Sequence, residues 1–150
     1  MNSESDKGFY EIEVFEKFCA KLPHIEISGV AKCFPPEPDL VCNFDGKMTY
    51  FELARNYTKE FAKQFFDVSN HSNAAWGEDS TKRILHAKLD KIYLVKEPIQ
   101  LLLYDDLGLA LPNDVVISTM EYILSNREKV QFERIWYFAE NEAIEVYSDK

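Results

Sequence analysis

Two short segments near the end of the first third of the chain carry its clearest hydrophobic pattern. Leu40–Phe44 is a mostly apolar run, and residues 47–54 alternate, with Thr49 and Phe51 on one face and Glu52 on the other. Asp45-Gly46 separates the two segments, and both residues tolerate the positive φ of a tight two-residue turn. The pattern predicts an antiparallel β-hairpin.

Periodicity elsewhere predicts helices and strands on both sides of this hairpin. Apolar residues at three- and four-residue spacing predict helices over residues 9–22, 55–66, 80–96 and 115–126, the last capped by Asp114. Apolar or alternating runs predict strands over residues 24–30, 99–104, 132–139 and 143–147. We expect an α/β (α+β) fold in which helices flank a central mixed sheet.

The 150 residues and 46 % hydrophobic content suit one packed domain. We expect a single domain over residues 9–150 after a flexible N-terminus over residues 1–8. Residues 67–80 form the one long polar stretch, a functional or mobile loop in which Trp76 either anchors the loop or stacks on a base.

Three acidic residues stand in unusual settings. Asp39 follows Pro38 directly before the first hairpin strand, and Glu52 projects from the mostly apolar second strand, where a carboxylate is costly unless it is paired or bound to metal. Carboxylates on adjacent strands can converge on one hard cation. Glu11 lies on the apolar face of the first predicted helix, either as a first-turn acid favourable to the helix dipole or as a third acid of the same site.

Pro38-Asp39, the hairpin and Glu52-Leu53-Ala54 resemble the PD-(D/E)xK nuclease-like (restriction-endonuclease-like) superfamily. Its motif is an acid after a proline, a β-hairpin, and an acid-x-lysine on the second strand. The order of predicted elements extends the resemblance over most of the chain. The resemblance implies Mg²⁺ or Mn²⁺ held by Glu11, Asp39 and Glu52, but Ala54 stands where the motif has lysine.

Lys88 is the candidate replacement for that lysine. In the predicted helix over residues 80–96 it falls inside the apolar stripe, between Ile84 and Leu85 on one turn and Ile92 and Val95 on the next. Its aliphatic stem could lie along this stripe with the amine in water. Alternatively, Lys88 delivers its cation to Asp39 and Glu52 from a helix, a migration known among proteins that resemble this superfamily.

The charge distribution limits where a polyanion can bind. The net charge of −9 argues against generic nucleic-acid binding, but residues 55–96 carry eight Lys and Arg against five Asp and Glu. Nucleic acid would therefore contact the cations of this middle third: Arg55, Lys59, Lys63, Lys82, Arg83 and Lys91.

The cysteine spacing and the length of the apolar runs argue against disulfide-rich, zinc-binding and membrane proteins. The three cysteines are odd in number and show no Cys-x-x-Cys spacing, which favours reduced thiols over disulfides or a zinc site. No apolar run reaches the roughly 20 residues of a membrane helix, so we expect a soluble, cytoplasmic protein without a membrane partner.

Two functions follow from these observations. The first is a Mg²⁺-dependent phosphodiesterase (nuclease) of the PD-(D/E)xK type, with Asp39, Glu52 and Lys88 as catalytic residues, Lys91 as the alternative to Lys88, and nucleic acid as substrate. The alternative is an inactive nuclease-like domain that binds a basic protein, as an immunity or antitoxin-like module. The acidic surface and Ala54 favour the alternative, and whether the chain is an enzyme stays open.

Overall fold

The computed structural model describes residues 3–57 and 80–149, with side chains from residue 8 onward. Within these ranges the chain forms three helices and six strands. In chain order they are α1 (Ser3–Cys19), β1 (Ile27–Lys32), β2 (Leu40–Phe44), β3 (Lys47–Arg55), α2 (Ser80–Asp90), β4 (Ile99–Asp105), α3 (Asn113–Ser125), β5 (Arg134–Ala139) and β6 (Glu142–Ser148).

The six strands form one mixed sheet in which the spatial order equals the chain order, β1 to β6. The pairs β3–β4 and β4–β5 are parallel, and the other three pairs are antiparallel. The predicted hairpin is confirmed, because β2 pairs with β3 and Asp45 and Gly46 both have positive φ, 53° and 85°. The predicted α+β class with a central mixed sheet is likewise confirmed.

Helices cover the two faces of the sheet. On one face α1 packs Phe15 and Phe18 against Phe51 of β3, with the rings of Phe15 and Phe51 4.7 Å apart. On the other face Leu85 of α2 and Met120 of α3 belong to a second buried cluster. Truncating a buried phenylalanine such as Phe18 to alanine typically costs about 3–5 kcal/mol, so the packing of α1 on the sheet contributes substantially to stability.

The central strand β4 is buried along its whole length, from Ile99 to Asp105. Parallel strands covered on both faces read as continuous apolar runs, and the run over residues 99–104 predicted this strand. The side chains of its neighbour β3 alternate between the layers, so Tyr50, Glu52 and Ala54 face α2 and α3.

Several predicted boundaries are wrong. Helix α1 begins at Ser3 and ends at Cys19, and α2 ends at Asp90, six residues before the predicted end. Ile92 consequently lies beyond the helix with 77 % of its surface exposed, outside the predicted buried stripe.

Two further boundaries differ from the expectation. Pro112, not Asp114, occupies the N-cap position of α3, which makes no side-chain cap hydrogen bond. Strand β3 continues through Arg55, where the second predicted helix was expected to begin. Asn56 and Tyr57 form a bend rather than helix, and residues 58–79, which include the rest of that predicted helix and Trp76, lie outside the described residues. None of the described helices has the length and apolarity to cross a bilayer.

Candidate functional site: a buried carboxylate with two lysines

Glu52 is the buried acid at the centre of the site. It lies in β3 opposite Leu101 of β4, and its side chain is 3 % exposed. The flanking positions on the same face, Tyr50 and Ala54, belong to the apolar cluster beneath α2 and α3. An ionised carboxylate in such a position requires a compensating charge and hydrogen bonds.

Two lysines supply this charge. Lys88 Nζ, in the last turn of α2, donates a hydrogen bond to Glu52 Oε2 at 2.7 Å, and Lys91 Nζ lies 3.6 Å from the same oxygen. The Lys88 side chain is 25 % exposed, whereas that of Lys91 is half exposed. The contact between Lys88 and Glu52 is the one that the position of Lys88 in the apolar stripe predicted.

The two ammonium groups decide the ionisation of Glu52. Burial by itself raises the pKa of Glu52, but the charge and hydrogen bond of Lys88, with smaller contributions from Tyr93 and Lys91, hold it below its ordinary value. Glu52 is therefore a carboxylate at neutral pH, and the site contains a charge-assisted ion pair.

Tyr93 is a site residue that the sequence pattern missed. Its side chain is buried beside Glu52, its hydroxyl makes no well-aligned hydrogen bond among the described residues, and Lys91 Nζ lies 5.0 Å from its ring centroid. Burial and the nearby carboxylates of Glu52 and Asp39 raise its pKa. The sequence pattern gave no signal for it, because Tyr93 lay inside the helix predicted over residues 80–96, whereas α2 ends at Asp90.

Asp39 is anchored next to Glu52 at the point where β2 and β3 separate. The register pairs Leu40 with Phe51, so Asp39 lies beyond the last β2 pair. Its Oδ2 accepts a hydrogen bond from the Leu53 backbone N–H at 2.9 Å, and its carbonyl accepts one from the Cys33 N–H at 2.8 Å. The expected separation of roughly 4–6 Å between the Asp39 and Glu52 carboxyl groups stays a prediction.

The structure does not bring Glu11 together with these two acids. Glu11 is buried on α1, whose apolar side packs on the face of the sheet opposite Glu52, and its charge acts on Tyr104 of that face. Helical periodicity correctly placed Glu11 on the buried side of α1, but it cannot tell which face of the sheet α1 covers.

The cations expected to contact nucleic acid are dispersed. Lys82 and Arg83 are exposed on the first turns of α2, about two turns from Lys91. Arg55 lies on the α1 side, where its guanidinium stacks 4.7 Å from the Tyr10 ring and donates to the Tyr104 hydroxyl at 3.3 Å. Lys59 and Lys63 lie outside the described residues.

The site offers a divalent cation at most two carboxylates, and two ammonium groups already contact Glu52 Oε2. Within residues 3–57 and 80–149, no group of three or more His, Cys, Asp or Glu side chains is arranged to hold a metal ion. Mg²⁺, however, is usually bound by only one or two carboxylates, with waters and substrate phosphates as its other ligands. Asp39 and Glu52 would supply these two carboxylates, and the buried Tyr93 hydroxyl lies beside them without a well-aligned hydrogen bond.

Comparison of the chain with family profiles, with curated proteins and with solved structures gave no match.

Proposed function

We propose that the chain is a Mg²⁺- or Mn²⁺-dependent phosphodiesterase of the nuclease-like type that acts on nucleic acid. The observation that carries this proposal is the 2.7 Å contact between Lys88 Nζ and Glu52 Oε2. Lys88 thereby supplies from α2 the ammonium group that the motif lysine, replaced here by Ala54, would supply from β3. Asp39, anchored on the residue next to Glu52, gives the second carboxylate.

The fold supports the proposal at a coarser level. A β-hairpin inside a mixed sheet with helices on both faces is the arrangement that the nuclease-like resemblance implies. The restriction-endonuclease-like fold is part of the proposal, and it predicts that Asp39 and Glu52 share one site at the β2–β3 fork.

Each residue has a role that follows from its chemistry. Asp39 and Glu52 would hold the cation, which when bound lowers the pKa of a water and neutralises phosphoryl charge. Lys88 keeps Glu52 ionised and, when it turns from that carboxylate, donates to the attacking oxygen or to a phosphate oxygen. Lys91, half exposed, contacts phosphate at the rim of the site.

Calorimetry with Mn²⁺ and a metal-dependent cleavage assay on single- and double-stranded DNA and RNA test the proposal. Glu52→Gln should lose Mn²⁺ binding, whereas Lys88→Ala should keep Mn²⁺ binding and lose nearly all turnover. Lys91→Ala is the matched control, because its amine is more exposed and farther from Glu52, and it should have a mild effect. Wild-type protein that neither binds Mn²⁺ nor cleaves any of the four substrates would refute the proposal.

A second function, binding of a basic protein by an inactive domain, is favoured by the acidic surface. Residues 97–150 carry 11 Asp and Glu against four Lys and Arg. A cleft of about 370 Å³ between α1 and the ends of β4 and β5 includes Glu13, Asp106 and Glu140 in its lining. Acidic surfaces steer association with basic partners. Association with a basic protein that weakens steeply with salt, in a chain without Mn²⁺ affinity, would select this function over the first.

A further inference from the structure

The buried hydroxyl of Tyr93 is the feature that the proposed chemistry has not used. Tyr93 is 6 % exposed, and its Oη makes no well-aligned hydrogen bond among the described residues, although it lies close enough to the Glu52 carboxylate to help lower the pKa of that group. A buried hydroxyl with only a poorly aligned hydrogen bond contributes little to stability, because it loses its hydrogen bonds to water and gains little in return. Such groups are rare in folded proteins, and each calls for an explanation in terms of catalysis, strain, or a bound water or ion.

The surroundings of this hydroxyl point to the carboxylate site. Tyr93 belongs to the same buried cluster as Tyr50 and Ala54, the residues two before and two after Glu52 on its face of β3. Lys91 joins the two groups, since its Nζ lies 3.6 Å from Glu52 Oε2 and 5.0 Å from the Tyr93 ring centroid. The segment that follows α2 therefore brings both a cation and a phenol to Glu52.

The backbone of this segment is anchored from outside the site. The Tyr93 N–H donates to the Gln131 side chain at 3.4 Å, and the Tyr93 ring packs 5.7 Å from that of Phe132. The ring position is thus set by the residues before β5 rather than by the hydroxyl. The hydroxyl can therefore turn toward a hydrogen-bond acceptor without any movement of the ring.

We propose that Tyr93 is a positioning residue of this site: its hydroxyl is the donor that fixes the Glu52 carboxylate once Lys88 turns from it to a substrate phosphate. The inference rests on the proposed function, because it assumes that Lys88 leaves Glu52 during the reaction. In the state described here Lys88 and Lys91 occupy Glu52 Oε2. When either ammonium group turns away, the phenol replaces the lost hydrogen bond, and a buried carboxylate is not left without a donor.

Tyr93→Phe removes only the hydroxyl, and Tyr50→Phe is its matched control. Tyr50 is a second buried tyrosine on the same side of the sheet, but its hydroxyl already donates to Glu37 Oε2 at 3.3 Å. In metal-free protein, Tyr93→Phe should therefore leave the melting temperature unchanged or raise it by about 2–4 °C, whereas Tyr50→Phe should lower it. The opposite signs separate a hydroxyl kept for a ligand from one that stabilises the fold.

Calorimetric titration with Mn²⁺ is the second measurement. Residues that orient metal ligands typically change affinity by about 10–100-fold, so Tyr93→Phe should weaken Mn²⁺ binding about tenfold and Tyr50→Phe should not change it. Unchanged Mn²⁺ affinity in Tyr93→Phe, or a melting temperature lowered as in Tyr50→Phe, would overturn the inference. If the wild type binds no Mn²⁺, the proposed function fails first and the positioning role fails with it, whatever the melting temperatures show. If the wild type binds Mn²⁺ but Tyr93→Phe has the same effects as Tyr50→Phe, the proposed function stands and the positioning role alone is refuted.

Discussion

Replacing Lys88 with methionine should destabilise the protein, because the buried Glu52 carboxylate on β3 then loses its main counter-charge. Methionine keeps the length and apolar stem of lysine, so packing against Ile84 and Leu85 changes little. What is lost is the ammonium group 2.7 Å from Glu52 Oε2. The variant therefore isolates the electrostatic part of the site.

The magnitude follows from distance and burial. At an effective dielectric constant of about 20, charges 2.7 Å apart attract by about 6 kcal/mol, and desolvation of Glu52 offsets part of this. Removing one partner of a buried pair typically costs about 3–5 kcal/mol. Lys91 remains 3.6 Å from the same oxygen and compensates in part, so we expect a loss of about 2–3 kcal/mol. For a chain of this size that loss lowers the melting temperature by roughly 4–12 °C.

Urea unfolding of a double-mutant cycle measures the effect. Glu52→Gln combined with Lys88→Met should recover much of the stability lost in Lys88→Met alone, because no uncompensated buried charge remains. Lys91→Met is the control and should cost no more than about 1 kcal/mol, as exposed ion pairs do. Additive effects in the cycle, or equal losses for the two lysine variants, would refute the assignment of Lys88 as the main partner of Glu52.

Three further predictions concern titration and buried polar groups. The pKa of Glu52 in the folded protein lies below its ordinary value of 4.5, so the ionised carboxylate contributes fully to stability above that value. This contribution is lost as the pH falls through the lower folded pKa. Acid unfolding followed by circular dichroism should therefore show a steeper loss of stability for the wild type than for Glu52→Gln. Burial raises the pKa of Cys42 to about 11, and partial burial raises that of Cys19 to about 12. Iodoacetamide should therefore alkylate both thiols slowly at pH 7 in native protein and faster in urea. Fast labelling of Cys42 in native protein would contradict its burial. Gln100→Leu removes the acceptor, at 2.7 Å, of the buried Trp136 indole N–H and should cost about 1–3 kcal/mol in urea unfolding followed by tryptophan fluorescence; an unchanged midpoint would show that this hydrogen bond is dispensable.

Local patterns predicted the parts of the fold that local chemistry determines. The hairpin follows from Asp45-Gly46 and from the alternation after it, both of which are properties of adjacent residues. The burial of β4 follows from its continuous apolar run. The position of Lys88 among apolar residues left two alternatives open, an amine in water or one directed at Asp39 and Glu52, and the structure shows its contact with Glu52.

The remaining features depend on contacts between distant residues. Periodicity predicted that this helix continues to residue 96, but the chain leaves the helix after Asp90, and the Tyr93 N–H donates a hydrogen bond to a side chain 38 residues away. The sequence pattern could not place Tyr93 in the site, because it does not indicate that the chain changes direction after Asp90. Glu11 shows the same limit, since its helix face was predicted correctly and its side of the sheet was not.

The strands have the same order in the sheet as in the chain, and this affects how the sheet can form during synthesis. Each strand that leaves the ribosome finds its sheet neighbour already synthesised, so the sheet can grow from β1 toward β6 without rearrangement. Glu52, however, is made 36 residues before Lys88. At about 5–20 residues per second this interval lasts roughly 2–7 s, during which the first three strands contain a carboxylate that cannot yet be buried. The face of β3 that carries Glu52 can therefore reach its final packing only after α2 has been synthesised.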